Sequence, residues 1–210
     1  MRYLWPSGGE YIGMDVLTSP GMYGVPAAIA RGARWAADLG CLDGPEFVKR
    51  CNIEAARAWL FEKMVPYLCT CLFVTVPDVV GDAAATLVAF NDLRSKFLGW
   101  PLAYVAQDGA EELEFPMRQD FTFDALFIGG STDWKMSDGA RQVIARAVAI
   151  GKHVHIGRVN YWKRYQHFRN MEGSNDFTCD GTRLRFERDK ALRAWRGYMA
   201  QMPLDWHVSE

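Results

Sequence analysis

No apolar run in this 210-residue chain approaches the length of a membrane-spanning helix, and its first residues lack a basic-then-apolar leader, since Arg2 is soon followed by Pro6, Ser7 and two glycines. Both absences lead us to expect a soluble, cytoplasmic protein that makes no use of a membrane. Cysteine is sparse and unordered: Cys41, Cys51, Cys69, Cys71 and Cys179 are odd in number and irregular in spacing. That argues against a secreted disulfide framework and fits a reducing compartment. Cys69-Thr70-Cys71 has no second Cys or His pair at zinc spacing after it, so no metal site is expected there. Low-complexity tracts and Pro- or Gly-rich linkers are missing too. One domain over residues 1–210, with one sizeable core, is the expectation.

The net charge of −1 hides an uneven distribution. Residues 141–210 hold 13 Lys or Arg against 7 Asp or Glu, whereas residues 1–140 hold 11 against 18. In the basic portion, 158–200, residues such as Arg158, Arg164, Arg183, Arg185 and Arg188 are interleaved with Tyr161, Trp162, Tyr165, Phe168 and Trp195. A surface of this kind holds a phosphate backbone and stacks bases. The same pattern also fits solvated amphipathic helices.

Five hydrophobic runs end in a polar or glycine-bearing cluster: Val76-Pro77-Asp78, Val105-Ala106-Gln107-Asp108-Gly109, Phe127-Ile128-Gly129-Gly130, His155-Ile156-Gly157-Arg158 and Thr178-Cys179-Asp180-Gly181. Their spacing, about one strand plus one helix, predicts a compact α/β barrel of the TIM-like (β/α)8 type, whose strand ends converge on one rim. Eight strands are expected, over 3–5, 14–18, 34–37, 71–76, 102–106, 125–128, 153–156 and 177–179. Uninterrupted apolar character over 72–76 and 126–128 marks strands buried on both faces, as in a parallel sheet. Helices are expected over 45–67, 82–98, 137–150 and 187–202, and a short helix and loop over 110–122. The glycine-bearing stretch 7–21 reads as a mobile cover.

Asp38, Asp78, Asp108 and Asp180 stand at predicted strand ends, where an apolar strand delivers a carboxylate to the rim. Burial of such a group costs free energy unless a ligand, a cation or a hydrogen-bond network meets it. Asp82, opening a helix, reads as a cap. Two carboxylates facing one sugar carbon form a known chemical pattern, in which one attacks the anomeric carbon and the other handles a proton. His153-Val154-His155 admits a rival reading as a metal-binding pair in a barrel hydrolase. Since His167 and His207 fall outside the rim motifs, no metal is expected, and His155 is read as a hydrogen-bonding partner inside the barrel or a support for Asp180.

These motifs, with Ala37-Asp38-Leu39-Gly40 before them, Gly129-Gly130-Ser131-Thr132-Asp133-Trp134-Lys135 and Asp180-Gly181-Thr182, resemble the tRNA-guanine transglycosylase superfamily over residues 34–185. The nearest likeness is to the phage and bacterial branch that exchanges guanine for a 7-deazaguanine in DNA. The resemblance implies Asp180 as nucleophile and Asp38 as general acid/base. It implies Asp78, Gln107 and the backbone at Gly129 and Gly130 as readers of the purine edge, beside Asp108 and His155, with Ile156 and Gly157 packing the flat base. Lys135, Arg158, Asn160, Arg183 and Arg185 are the expected nucleic-acid contacts. The tRNA enzymes carry three Cys and one His as a zinc site after the nucleophile, whereas here only Cys179 and His207 lie in that region. A barrel without a zinc-binding subdomain and without cofactors is therefore expected, acting on DNA, with a helper protein or a homo-oligomer allowed. A tRNA exchanger, a deazaguanine glycosidase and a non-catalytic nucleic-acid-binding barrel are the alternatives.

Overall fold

The computed structural model describes residues 1–7, 14–21, 24–46, 49–116, 122–171, 177–181 and 193. Among them, nine strands form one all-parallel sheet. In chain order these are β1 (Arg2–Tyr3), β2 (Trp5–Pro6), β3 (Val16–Thr18), β4 (Trp35–Ala37), β6 (Cys71–Thr75), β8 (Leu102–Ala106), β9 (Ala125–Ile128), β10 (His153–Ile156) and β11 (Thr178–Cys179). A second sheet pairs β5 (Cys41–Asp43) with β7 (Asp78–Val79).

The large sheet runs β1-β11-β10-β9-β8-β6-β4-β3-β2, so its two edges, β1 and β2, are separated only by Leu4. Around that residue the chain changes partner. Arg2 and Leu4 donate their N–H groups to Phe177 and Cys179, and Trp5 donates to Asp15. The sheet thus curls back on itself into a nearly closed barrel, which leaves little unpaired edge.

Strand parity divides the core in two. Leu4, Ala36, Phe73, Ala103, Val105, Ala125 and Phe127 pack inside the ring. Their alternation of small and large side chains fills a narrow interior. Trp35, Val74, Tyr104, Leu126, Ile128, Val154 and Ile156 belong to the larger cluster that packs the helical layer against the sheet. Each large apolar side chain buried there contributes about 1.5–3 kcal/mol.

The strands expected over 102–106, 125–128 and 153–156 are found with those bounds. Besides the single turns α1 (Ala27–Ala30) and α4 (Thr132–Lys135), helices α3 (Ala83–Leu93) and α5 (Asp138–Ala149) start behind Asp82 and Ser137, whose side chains accept from the Ala85 and Ala140 amides. Gly151 at φ 71° follows α5 in the left-handed conformation that favours glycine. The helix expected from Pro45 is different. It starts at Ile53, where Asn52 Oδ1 accepts from the Ala55 amide, runs as α2 (Ile53–Trp59), and continues through a π-helical turn (Leu60–Met64) into a 3-10 segment (Val65–Thr70). Pro45 lies outside it: among the described residues between Pro45 and the helix, Arg50 bridges Cys41 in a parallel pairing and Asn52 supplies the cap. Within 110–122 only a 3-10 turn (Ala110–Glu112) forms among the described residues. Val16–Thr18 is a ring strand, so that part of the 7–21 stretch belongs to the barrel wall. The helix expected over 187–202 lies outside the described residues except at residue 193.

Candidate active site

The carboxyl ends of β4, β6, β8, β9, β10 and β11 surround a cavity of about 210 Å³. Asp38, Asp78, Gln107, Gly129, Gly130, Lys135, Gly157, Arg158 and Asp180 all line it, so most of the residues singled out on sequence meet here. Gly40, Cys41, Thr75, Val80, Val105 and Phe127 complete the lining.

Asp180 follows β11. Its Oδ1 accepts from His155 Nε2 at 3.3 Å and from the Arg158 amide at 2.9 Å. Its other oxygen has no hydrogen-bond partner among the described residues. Burial pushes this carboxyl up, but the His155 hydrogen bond and charge, the Arg158 amide and Lys135 outweigh it and hold the group below the usual carboxylate range. Arg158 takes a left-handed φ of 61°, rare for a side chain with a Cβ, and that conformation aims its N–H at Asp180.

On the opposite wall, Asp38 Oδ1 accepts from the Gly40 amide at 2.9 Å and from Thr75 Oγ1 at 3.5 Å. Thr75 in turn accepts from the Leu39 amide at 3.0 Å, which ties the loop after β4 to the end of β6. Burial, followed by the like charge of Asp180, raises Asp38 against the opposing pull of the Gly40 amide. Asp78 starts β7, and pairing with β5 sets it directly across from Cys41. Burial and the neighbouring Asp38 push Asp78 up to about 7.

Gln107 is locked in place. Its carbonyl oxygen accepts from the amides of Gly81 (3.0 Å) and Gly130 (2.9 Å), and its amino group donates to Asp78 through a short hydrogen bond. Two backbone donors on one side fix which end of the side-chain amide faces Asp78. Asp78 and Gln107 thereby present an acceptor and a donor side by side.

Comparison with known families, characterised proteins and solved structures returned no match to this chain. The site's reading therefore rests on its own chemistry.

Several expectations need correction. Ile156 is fully buried in the helix-facing cluster and does not line the cavity, because it alternates with His155, which faces inward. Gly129 and Gly130 have no spare amides to recognise a carbonyl: Gly129 donates to Ala106 and Gly130 to Gln107. Their role is space, since a Cβ on Gly129 would sit 2.7 Å from Gln107 Nε2. Lys135 is 4% exposed and donates to the Gly157 carbonyl at 3.0 Å, so it is a cation of the cavity wall and not of the outer rim. Burial, then Arg158, lowers its ammonium to about 8.

Asp108 stands beside the cavity and accepts from the Ser131 amide at 2.6 Å. Asn160 lies against Gly181, away from the lining. Arg183 and Arg185 lie outside the described residues. Of the aromatic residues in the basic portion, Trp162, Tyr165 and Phe168 are the buried face of α6 (Trp162–Arg169), while Tyr161 is exposed. The imidazoles of His153 and His155 both turn a nitrogen to Thr178 Oγ1, at 2.8 and 2.9 Å, which is not a shared metal position. Among the described residues, no three His, Cys, Asp or Glu side chains group as metal ligands, and no helix is long and apolar enough to cross a membrane.

Sequence reading missed Thr75 and Thr178. Thr75 was legible as the hydroxyl within the apolar run 72–76, and Thr178 as the residue two before Asp180, on the same face of the strand.

Proposed function

We propose that this cavity is the active site of a DNA guanine transglycosylase, a pentosyltransferase that exchanges guanine for a 7-deazaguanine such as the 7-cyano form. The fold in this reading is a (β/α)8 barrel of the TIM type without a zinc-binding subdomain. The observation that carries it is the pair Asp38 and Asp180, each with one oxygen held by hydrogen bonds, lining one cavity beside the Asp78–Gln107 pair.

The cavity accommodates a base but not a duplex, so the target nucleotide swings out of the stack to enter it. Asp180, held ionised, attacks C1′ as the C1′–N9 bond breaks, and an ester to the sugar forms. The departing guanine takes its proton from Asp38, whose raised affinity for a proton suits that task. The incoming base returns a proton to Asp38 and attacks C1′, and the ester bond breaks to restore Asp180. Asp78 accepts from the N–H groups of the purine edge, while Gln107 has a second amide hydrogen for the ring carbonyl. Exposed Arg158 holds a phosphate at the rim.

Nucleoside mass analysis of DNA and tRNA, from cells with and without the protein and supplied with deazaguanine precursors, tests this. A deazaguanosine in DNA alone is expected. Its appearance in tRNA alone identifies a tRNA exchanger, loss of a modified base without replacement identifies a glycosidase, and no change in either pool supports the non-catalytic barrel.

A further inference from the structure

A chain of hydrogen bonds runs along the inside of the barrel from the rim toward its other end. Asp180 Oδ1 meets His155 Nε2 at 3.3 Å, His155 Nδ1 meets Thr178 Oγ1 at 2.9 Å, and the same Oγ1 meets His153 Nε2 at 2.8 Å. His155 and Thr178 are fully buried, and the ring of His155 is packed by Phe73 and Phe127 at centroid distances of 5.1 and 4.6 Å. Nothing in that apolar setting replaces a lost partner.

The proton count fixes the direction of the chain. An ionised Asp180 only accepts, so His155 carries a hydrogen on Nε2. With that ring neutral, its Nδ1 is bare and needs a donor. Thr178 has a single hydroxyl hydrogen, which goes to His155, so His153 Nε2–H must fill the hydroxyl's lone pair. When His155 takes a second proton, its Nδ1–H donates to the hydroxyl, whose own hydrogen turns to His153 Nε2 as that ring shifts its proton to Nδ1, and the His155 Nε2–H still faces Asp180. A hydroxyl is the group that serves both arrangements, because it donates and accepts.

We propose that Thr178 and His153 are positioning residues that hold His155 with its Nε2–H on Asp180, and so keep one carboxylate oxygen tied back while the other faces substrate. The turnover part of this inference rests on Asp180 acting as nucleophile in the proposed exchange; the tautomer part does not.

The test uses the full chain, labelled with 15N in its histidines, together with Thr178→Val and Thr178→Ser. In the unaltered protein, the imidazole spectrum should show His155 protonated at Nε2. Thr178→Val, which keeps the shape and removes the hydroxyl, should release that tautomer and lower kcat about tenfold, with KM for DNA and for base within about twofold. Thr178→Ser should restore both readouts. His153→Phe, which keeps ring bulk against Phe73, should shift them the same way by less. A wild-type spectrum with His155 bare at Nε2 overturns the proposal whatever the variants do. A folded Thr178→Val with unchanged tautomer and unchanged kcat overturns it as well. Absence of exchange in the wild-type protein counts against the functional reading alone, because the spectrum still decides the lock.

Discussion

Two walls of one cavity treat the same chemical group in opposite ways. The wall at the ends of β10 and β11 surrounds Asp180 with an imidazole, a backbone amide and the ammonium of Lys135, and holds it ionised. The facing wall adds to burial the like charge of Asp180 on Asp38 and of Asp38 on Asp78, and pushes both up. Burial alone would raise all three. The charged partners of Asp180, His155 and Lys135, decide the sign, and carboxylates whose proton affinities are driven apart in this manner are suited to separate roles.

Removing the charged side of that contrast should have the largest effect. Asp180→Asn keeps the volume and loses the nucleophile, so exchange should fall by about 10^4-fold or more, measured by base release from an oligonucleotide. Substantial exchange by this variant would take Asp180 out of the role. Asp38→Asn should cost about 10²- to 10⁴-fold, because it removes both the proton for the departing guanine and the base that activates the incoming one, with a covalent DNA adduct accumulating on a denaturing gel as the second loss traps the ester. A wild-type-like rate without adduct would equalise the two walls.

Asp78 sharpens the comparison through pH. It is ionised above about 7, so KM for the incoming base should fall as pH rises through that value, and Asp78→Asn should flatten the dependence. Stability has the opposite sense. The folded group binds its proton more tightly than the ordinary 3.8, so the fold loses stability as pH rises from 3.8 to about 7. Thermal melts of Asp78→Asn should show a smaller decline, with the share of Asp38 remaining.

Lys135 and Arg158 give the smallest effect and separate the buried cation from the exposed one. Arg158→Gln should reduce the slope of log affinity for DNA against log salt by about 0.9, the release expected for one phosphate contact. Lys135→Met should leave that slope alone and slow exchange about tenfold through the weaker hold on Asp180. A salt slope that responds to Lys135 would place its ammonium on the phosphate backbone.

The legible parts of the molecule were those where one physical rule acted alone. β8 and β9 are apolar on both faces, β10 alternates histidine with aliphatic residues, and all three end at glycine or polar residues, so their bounds followed from composition. α2 did not, because Pro45 and Asn52 compete as start signals seven residues apart and only packing chooses between them. Asp38, Asp78, Gln107 and Asp180 were placed together by the rule that parallel strands share a rim. Ile156 was misread by one step of strand parity, which exchanges the inner and outer faces. The engaged amides of Gly129 and Gly130 were beyond sequence reading, since their acceptors, Ala106 and Gln107, come from a neighbouring strand.

The partner change at Leu4 has a kinetic consequence. Tyr3 pairs with Cys179, and Tyr165 Oη donates to the Met1 carbonyl, so the first residues of the chain are held largely by some of the last described ones. During synthesis from the N-terminus, the ring has no closing strand until residue 179 has emerged, and its opening segment waits unpaired on one side throughout. Contacts of such sequence separation form late and slowly. The nascent barrel therefore spends most of its assembly as an open, curled sheet whose exposed edges at β2 and β10 are the places where a chaperone or a wrong strand would engage it.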